Sequence, residues 1–180
     1  MFLLLLFVLL ALKFYGQDQV EPNNKFIEHS GDVLAIAIPV SAFVTTLVLK
    51  DKKGSWQFAE SAAINLAATY ALKYTINKPR QDNNGHQGFP SGHTSTAFQG
   101  ASFIHRRYGF IYSIPAYALA GFTAFSRLDA EKHDGYDILA GALVGIGSTL
   151  LFTSPYEQEH MELSFAKGEG SYLLGFKYKF

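Results

Sequence analysis

The sequence contains no cysteine among its 180 residues. This absence excludes disulfide bonds, cysteine nucleophiles and thiolate metal sites, but it leaves the cellular compartment open. The formal net charge is zero, because 15 lysines and arginines balance 15 aspartates and glutamates. Nothing therefore indicates the broad basic face of a nucleic-acid-binding protein. Charged residues are scarce, at 17%, and hydrophobic residues reach 48%, with a mean hydropathy of +0.08. This composition suits either a small integral membrane protein or a soluble all-helical protein.

The first 16 residues resemble a secretory signal. Residues 1–12 are almost wholly apolar, which is too short for comfortable spanning of a bilayer, where about 20 residues are needed. Gly16 offers a possible cleavage edge, but no positive residue precedes the apolar core. We therefore expect residues 1–16 to be a signal peptide or an uncleaved N-terminal anchor. A helical domain over residues 17–155 and a hairpin-like tail over residues 156–180 complete the expected organisation.

Five helix-like apolar stretches follow a polar segment, Gln17–Ser30, that reads as a loop or a surface helix. Three glycines in the last stretch permit close approach of a neighbouring helix. Pro115 is expected to kink the fourth stretch or to mark its first turn. We predict an all-α, membrane-embedded bundle of about five to six helices. The five stretches are Val33–Leu49, Trp56–Ile76, Thr94–Ile104, Phe110–Phe125 and Ile138–Phe152.

The tail changes period. Apolar residues alternate with polar ones over residues 161–165 and again over residues 176–180, on either side of Lys167-Gly168-Glu169-Gly170. Alternation interrupted by a glycine-containing turn predicts a short β-hairpin. No chemistry follows from it.

Two clusters of positive charge predict the orientation of the bundle. Lys50, Lys52 and Lys53 lie between the first and second stretches, and Arg106 and Arg107 lie between the third and fourth. If the stretches span a membrane, both clusters share one side, which the positive-inside rule makes cytoplasmic. The loops 77–91 and 127–137 then share the opposite side. We expect a bacterial-type inner-membrane protein whose site faces the periplasm, with a soluble periplasmic protein as the alternative.

His133 and Asp137 are candidates for a catalytic pair. If this stretch is helical, positions i and i+4 lie on one face, so Asp137 could hold one ring nitrogen and leave the other for nucleophilic attack. Arg127, six residues earlier, could hold an anionic substrate. Taken alone, the pair is equally consistent with an ordinary surface contact.

A second candidate region ends in Pro90-Ser91-Gly92-His93. Gly92 lets the backbone approach an anion, a helix start there offers unpaired N–H groups, and His93 could protonate a leaving oxygen. The alternative is an ordinary turn in which Ser91 caps a helix. Upstream, Lys73 and Arg80 are seven residues apart and would share a helix face, although Pro79 frays that geometry. Two such cations suit a phosphoryl group, or they are snorkelling residues at a helix end.

Three ordered motifs resemble the signature of the type 2 phosphatidic acid phosphatase family, whose pattern bacterial nonspecific acid phosphatases and vanadium haloperoxidases share. They are Lys73-x6-Arg80, Pro90-Ser91-Gly92-His93 and Ser126-Arg127-x5-His133-x3-Asp137. The motifs cover a little over a third of the chain. One position departs from the family pattern, because Gln81 stands where a proline usually follows the arginine of the first motif.

The resemblance implies a helical bundle that removes phosphate without a metal or other cofactor. It implies that His133 is the nucleophile that forms a phosphohistidine, that Asp137 orients it, and that His93 protonates the leaving alkoxide and later activates water. The phosphoryl oxygens would be held by Lys73, Arg80, Arg127, Ser91 and the backbone of Gly92. Lys78 is interpreted as a bystander. The other histidines are interpreted as surface residues, with only His86 near enough to touch substrate: His29, His86, His105 and His160.

We expect the substrate to be a lipid phosphate or a polyprenyl (pyro)phosphate, and we expect the protein to bind it at a membrane. No nucleic-acid partner is expected. A secreted soluble acid phosphatase of the same superfamily is the main alternative, supported by the signal-like start and the low hydropathy. A vanadium haloperoxidase is a further alternative, because trigonal-bipyramidal vanadate mimics the phosphoryl transition state. A membrane scaffold that merely retains the motifs is the alternative that is not an enzyme.

Overall fold

The protein is a bundle of five helices followed by a two-stranded hairpin in a computed structural model. The structure describes residues 25–80 and 85–156 with their side chains, and the backbone of residues 161–168 and 171–178. The proposed signal or anchor, residues 1–16, and Gln81 lie outside the described residues. The helices are α1 (Lys25–Val48), α2 (Lys52–Ile76), α3 (Gly92–Tyr108), α4 (Phe110–Asp129) and α5 (Gly135–Phe152); the strands are β1 (Met161–Gly168) and β2 (Ser171–Tyr178).

The predicted all-α bundle is therefore confirmed, and the predicted hairpin is present. Strand β1 pairs antiparallel with β2, with Met161 opposite Tyr178 and Gly168 opposite Ser171. Helix α1 begins earlier than its apolar stretch, because the end of the polar segment continues the same helix from Lys25. Pro115 lies inside α4, at its sixth residue, rather than in its first turn.

Helix α3 is central and packs against each of the other four helices. Small side chains make this possible, since Ala97 and Ala101 are fully buried and a core of apolar residues surrounds them. Two of the three glycines in the stretch Ile138–Phe152 of α5 do what was expected. A Cβ on Gly141 would lie 2.5 Å from the carbonyl oxygen of Ser91, and one on Gly145 would lie 2.3 Å from that of Ser95. A Cβ on Gly147 would meet no other atom within 4 Å.

The outer surface of the bundle is apolar. Helices α1 and α5 are long and apolar enough to cross a membrane, and only 28% of each spanning window is buried inside the protein. Exposed aromatic side chains lie near both ends of the bundle, with Tyr74 and Tyr136 at one end and Trp56 and Tyr112 at the other. A band of exposed aliphatic residues between two aromatic girdles is typical of a membrane protein.

The two predicted cationic clusters come together at one end of the bundle. Arg107 is buried and donates to both carboxylate oxygens of Asp51, at 2.6 and 2.7 Å, and the hydroxyl of Tyr108 donates to the same carboxylate. Because Asp51 lies in the turn between α1 and α2, this network ties that turn to the end of α3. The other end of the bundle holds the candidate site.

Candidate functional site

Each of the five helices has one end on the side of the bundle opposite Asp51. These five ends converge on one region. Contacts between elements show this directly, because the side chain of Asp32 in α1 reaches both α3 and α4. The N–H of Ser91, which precedes α3, donates to the carbonyl of Asp137 in α5 at 2.9 Å. The loops 77–91 and 127–137 therefore meet at one end of the bundle, as the sequence predicted.

His133 lies outside the helix that was expected to contain it. Helix α5 begins at Gly135 with Asp134 as its N-cap, and Asp137 completes a capping box by accepting from the Asp134 N–H at 3.0 Å. The i, i+4 relation therefore does not apply to His133 and Asp137. Nδ1 of His133 is 3.6 Å from the nearer carboxylate oxygen, which is longer than a hydrogen bond. The two residues are neighbours, but Nδ1 is buried without a hydrogen-bond partner.

Lys78 occupies the place beside Asp137 that His133 was expected to take. Its Nζ donates to Asp137 at 2.7 Å and forms a second ion pair with Asp134. Burial disfavours its charge, but hydrogen bonds to Asp134 and Asp137 outweigh burial and raise the pKa of Lys78. The interpretation of Lys78 as a bystander is wrong, because it is bonded to a proposed site residue.

The environment of His133 favours the neutral imidazole. Burial, followed by the positive charge of Lys73 and then that of Arg80, lowers the pKa of His133 from 6.5 to about 4. The negative charge of Asp137 and a hydrogen bond with the backbone of Gly88 act in the opposite direction. A neutral ring has a lone pair on one nitrogen, which is what a nucleophile requires.

Lys73 and Arg80 reach the region from different kinds of structure. Lys73 lies in the last turn of α2 and donates to the carbonyl of Gln87 at 2.7 Å. Helix α2 ends at Ile76, so Arg80 lies in the following loop rather than on the shared helix face that the spacing predicted. That loop is held by its backbone, because Arg80 N–H donates to Gly85 and Gly88 N–H donates to Lys78.

The start of α3 contains Ser91, Gly92 and His93. Ser91 is the N-cap, and its buried hydroxyl oxygen accepts from the hydroxyl of Thr94 at 3.0 Å. Ser91 therefore caps a helix, as the alternative interpretation of this turn predicted. A Cβ on Gly92 would meet only ordinary contacts, 3.8 Å from Cε of Lys73 and 3.9 Å from Cγ2 of Thr69, so packing alone does not require glycine there. His93 has a side chain that is 45% exposed.

Arg127 is almost fully buried, and its guanidinium is held by three hydrogen bonds. Nε donates to Ser126 at 3.1 Å, one terminal nitrogen donates to Asp32 at 2.6 Å, and the other donates to the carbonyl of Glu28 at 2.5 Å. A guanidinium carries five N–H groups, so two remain for a substrate anion. The sequence pattern predicted a cation here but not its anchoring to α1.

Asp32 is the site residue that the sequence reasoning missed. It bridges Arg127 and His93, with a carboxylate oxygen 3.0 Å from Nε2 of His93. One signal could have found it, because Asp32 lies at the edge of a long apolar run, where an isolated carboxylate in a membrane helix is costly without a function or a partner.

The last question is whether the described residues offer a metal site and where the other histidines lie. Among the described residues, no group of three or more histidine, aspartate or glutamate side chains is arranged to hold a metal ion. His29 and His86 are exposed, and His105 lies at the other end of the bundle, where its ring contacts Tyr117. His160 lies outside the described residues.

Comparison with known proteins supports a family relationship. Residues 54–160 match the family model described as the PAP2 superfamily. The chain is 31% identical over 178 residues to a lipid A 4'-phosphatase of Helicobacter pylori, covering 88% of this chain and 89% of the relative. It is 36% identical over 105 residues to a lipid A 1-phosphatase of Porphyromonas gingivalis, covering 54% of this chain but only 24% of that longer relative.

The fold also has a solved counterpart. The crystal structure of Aquifex aeolicus LpxE superposes with a TM-score of 0.63 and 18% sequence identity, covering 79% of this chain and 92% of that one. At this identity the likeness concerns the fold alone. The motif-based resemblance to the type 2 phosphatidic acid phosphatases is confirmed by the family match.

Proposed function

Because the chain belongs to the PAP2 superfamily and is a phosphoric monoester hydrolase, we propose that it removes phosphate from a membrane lipid through a phosphohistidine on His133. The observation that carries this proposal is the position of His133, which is buried beside the cations Lys73 and Arg80. A neutral imidazole among cations is suited to attack a phosphoryl group, whose negative charge those cations can bind.

The first half-reaction transfers the phosphoryl group to the protein. A ring nitrogen of His133 attacks phosphorus, the N–P bond forms, and the bond from phosphorus to the lipid oxygen breaks. His93 gives its proton to that oxygen, so the lipid leaves as an alcohol. Asp137 lies beside His133, where its negative charge stabilises the ring as it becomes cationic on forming the N–P bond. The phosphoryl oxygens are bound by cations and by the start of α3: Lys73, Arg80, Arg127, Ser91 and the N–H of Gly92.

The second half-reaction releases phosphate. Neutral His93 takes a proton from water, the water oxygen attacks phosphorus, and the N–P bond breaks to restore His133. These steps need no metal, because guanidinium and ammonium groups supply the charge stabilisation. The demand on the site is large, since phosphate monoesters need accelerations of up to about 10²¹.

The exposed surface and the relatives support a lipid substrate. The apolar outer faces of α1 and α5 support a membrane location, and the likeness to lipid A phosphatases supports an inner-membrane location and a phosphorylated lipid A as substrate. The cationic turn at the far end supports a site on the periplasmic face. The same exposed faces weigh against the soluble acid phosphatase, which would have to solvate them.

The experiment that tests the proposal is a phosphate-release panel with the full chain in detergent micelles. The substrates are lipid A, phosphatidic acid, phosphatidylglycerol phosphate, undecaprenyl pyrophosphate and a water-soluble phosphate ester. We expect preference for a lipid, with lipid A first, and mass spectrometry of the product would assign the phosphate removed. Preference for the soluble ester would contradict the lipid assignment.

The covalent step has its own test. Rapid acid-free quenching of a reaction with ³²P-labelled lipid should trap label on the protein, stable to base and labile to acid, and His133→Gln should remove it. His86→Gln is the matched control, because His86 is an exposed histidine of the neighbouring loop. A trapped label that persists in His133→Gln would refute the assignment of the nucleophile.

A further inference from the structure

Asp32 makes two contacts that no motif of the family explains. One carboxylate oxygen, Oδ1, accepts from Arg127 at 2.6 Å and lies 3.0 Å from Nε2 of His93. Asp32 belongs to α1, outside residues 54–160 that match the family model. A single carboxylate therefore connects the residue proposed as the acid with one of the residues proposed to bind phosphate.

Packing holds Asp32 in this position. The neighbouring residue, Gly31, is buried, and a Cβ there would lie 1.8 Å from Oγ of Ser126 and 2.9 Å from a terminal nitrogen of Arg127. Helices α1 and α4 are therefore in close contact at this level. The carbonyl of Glu28, one turn earlier, also accepts from Arg127. These contacts fix the backbone of α1 against Arg127. They therefore also fix the position of the Asp32 carboxylate in the site.

The charges around His93 give Asp32 a chemical task. Burial is the largest influence on His93 and, together with the cations of Arg127 in α4, Lys132 in the following loop and Arg80 in the loop after α2, it lowers the pKa of the ring. Asp32 is the anion that opposes this shift. A general acid must carry its proton when the leaving group departs. Carboxylates that accept from one ring nitrogen also fix the orientation of the ring.

We propose that Asp32 is a positioning residue for the reaction: it orients His93, favours the protonated ring that serves the leaving oxygen, and holds Arg127 toward the phosphoryl group. This inference rests on the proposed function, in which His93 is the acid. Asp32 itself need not touch the substrate, since two N–H groups of Arg127 and one nitrogen of His93 remain for it.

The test compares pH profiles of kcat for the parent and for Asp32→Asn, with a lipid phosphate in micelles. The amide keeps the size of the side chain and loses the charge. We expect kcat to fall about tenfold or more and the alkaline limb to move to lower pH by about one unit. Asp32→Glu, which restores the carboxylate, should return the limb toward its parent position. A purely structural residue would lower kcat without moving the limb.

A leaving-group comparison and a matched control sharpen the result. With an aryl phosphate of the same chain length, whose oxygen leaves without protonation, Asp32→Asn should lose much less kcat than with the alkyl phosphate. Glu131→Gln removes the same charge from an exposed residue of the loop after α4 and should leave the limb in place.

An unmoved limb in a folded Asp32→Asn, or equal losses on both esters, would overturn the assignment of Asp32 alone. A parent protein that releases no phosphate from any lipid would overturn the proposed function, and this inference with it.

Discussion

The pH dependence of the first half-reaction is the most direct consequence of the site electrostatics. The pKa of His133 is lowered from 6.5 to about 4, chiefly by burial and then by Lys73. A lowered pKa means that the ring stays neutral, and therefore nucleophilic, at lower pH. We expect the acid limb of kcat/KM, which reports groups of the free enzyme, to lie far below the ordinary range of histidine.

The size of the effect follows from the two pKa values. At pH 5, a group with a pKa of about 4 is ~90% neutral, whereas an ordinary histidine is ~3% neutral, a difference of roughly 30-fold. Activity at pH 5 should thus retain most of its plateau value. The measurement is kcat/KM with one lipid phosphate in micelles from about pH 3 to about pH 8, after checking that the protein stays folded over that range.

Titration of the substrate could move the same limb, so two variants separate the causes. Lys73→Met removes a cation that disfavours protonation of His133, so it should move the acid limb to higher pH. Asp137→Asn removes an anion that favours protonation, so it should move the limb to lower pH. The substrate is identical in all three profiles. Half-maximal activity near pH 6.5 in the parent, or limbs that do not move in opposite directions, would refute this electrostatic account.

Three further predictions concern single side chains. Lys78→Met should move the acid limb to higher pH, because Asp137, without its bond to Lys78, would stabilise a protonated His133 more strongly. An unchanged limb would mean that Lys78 does not influence His133 and Asp137. Gly92→Ala should keep the unfolding temperature and lower kcat/KM about tenfold or more, because the new Cβ enters space beside Lys73 that the phosphoryl group needs; unchanged kinetics would contradict this. Arg107→Met should lower the free energy of unfolding by about 3–5 kcal/mol, since it leaves Asp51 buried and unpaired, and denaturant titration would show this; a loss below about 1 kcal/mol would contradict it.

Much of the fold could be predicted because apolar runs and charged turns are local signals. The five apolar stretches became five helices, and the change of period at residue 161 became a hairpin. Antiparallel helices alternate between two ends, so the sequence also indicated which loops would meet. The early start of α1 was missed because the polar residues of its first turn face the site and the neighbouring loop: Glu28 pairs with Lys132.

The site could be predicted in composition but not in contacts. Motif spacing identified His93, Arg127 and His133, whereas Asp32 reaches the site from α1 through long-range packing that no local pattern encodes. Arg80 was placed on a helix by counting, but α2 ends four residues earlier, and backbone hydrogen bonds to Gly85 fix the loop that carries it.

The spacing of His133 and Asp137 shows why a correct pair of residues can come with the wrong geometry. The i, i+4 rule holds only when both residues are helical, and Asp134 caps α5 one residue after His133. One carboxylate oxygen of Asp137 accepts from the Asp134 N–H of the cap, and the other accepts from Lys78. Both oxygens therefore already have hydrogen-bond partners other than His133. Nδ1 then stays 3.6 Å away, and the imidazole is buried without the full support of its anion. This shortfall is a reason that the ring is neutral in the absence of substrate. An anionic phosphoryl group beside Lys73 and Arg80 would offset the cations that lower the pKa of His133, and the proton balance of the site therefore depends on substrate as well as on the chain.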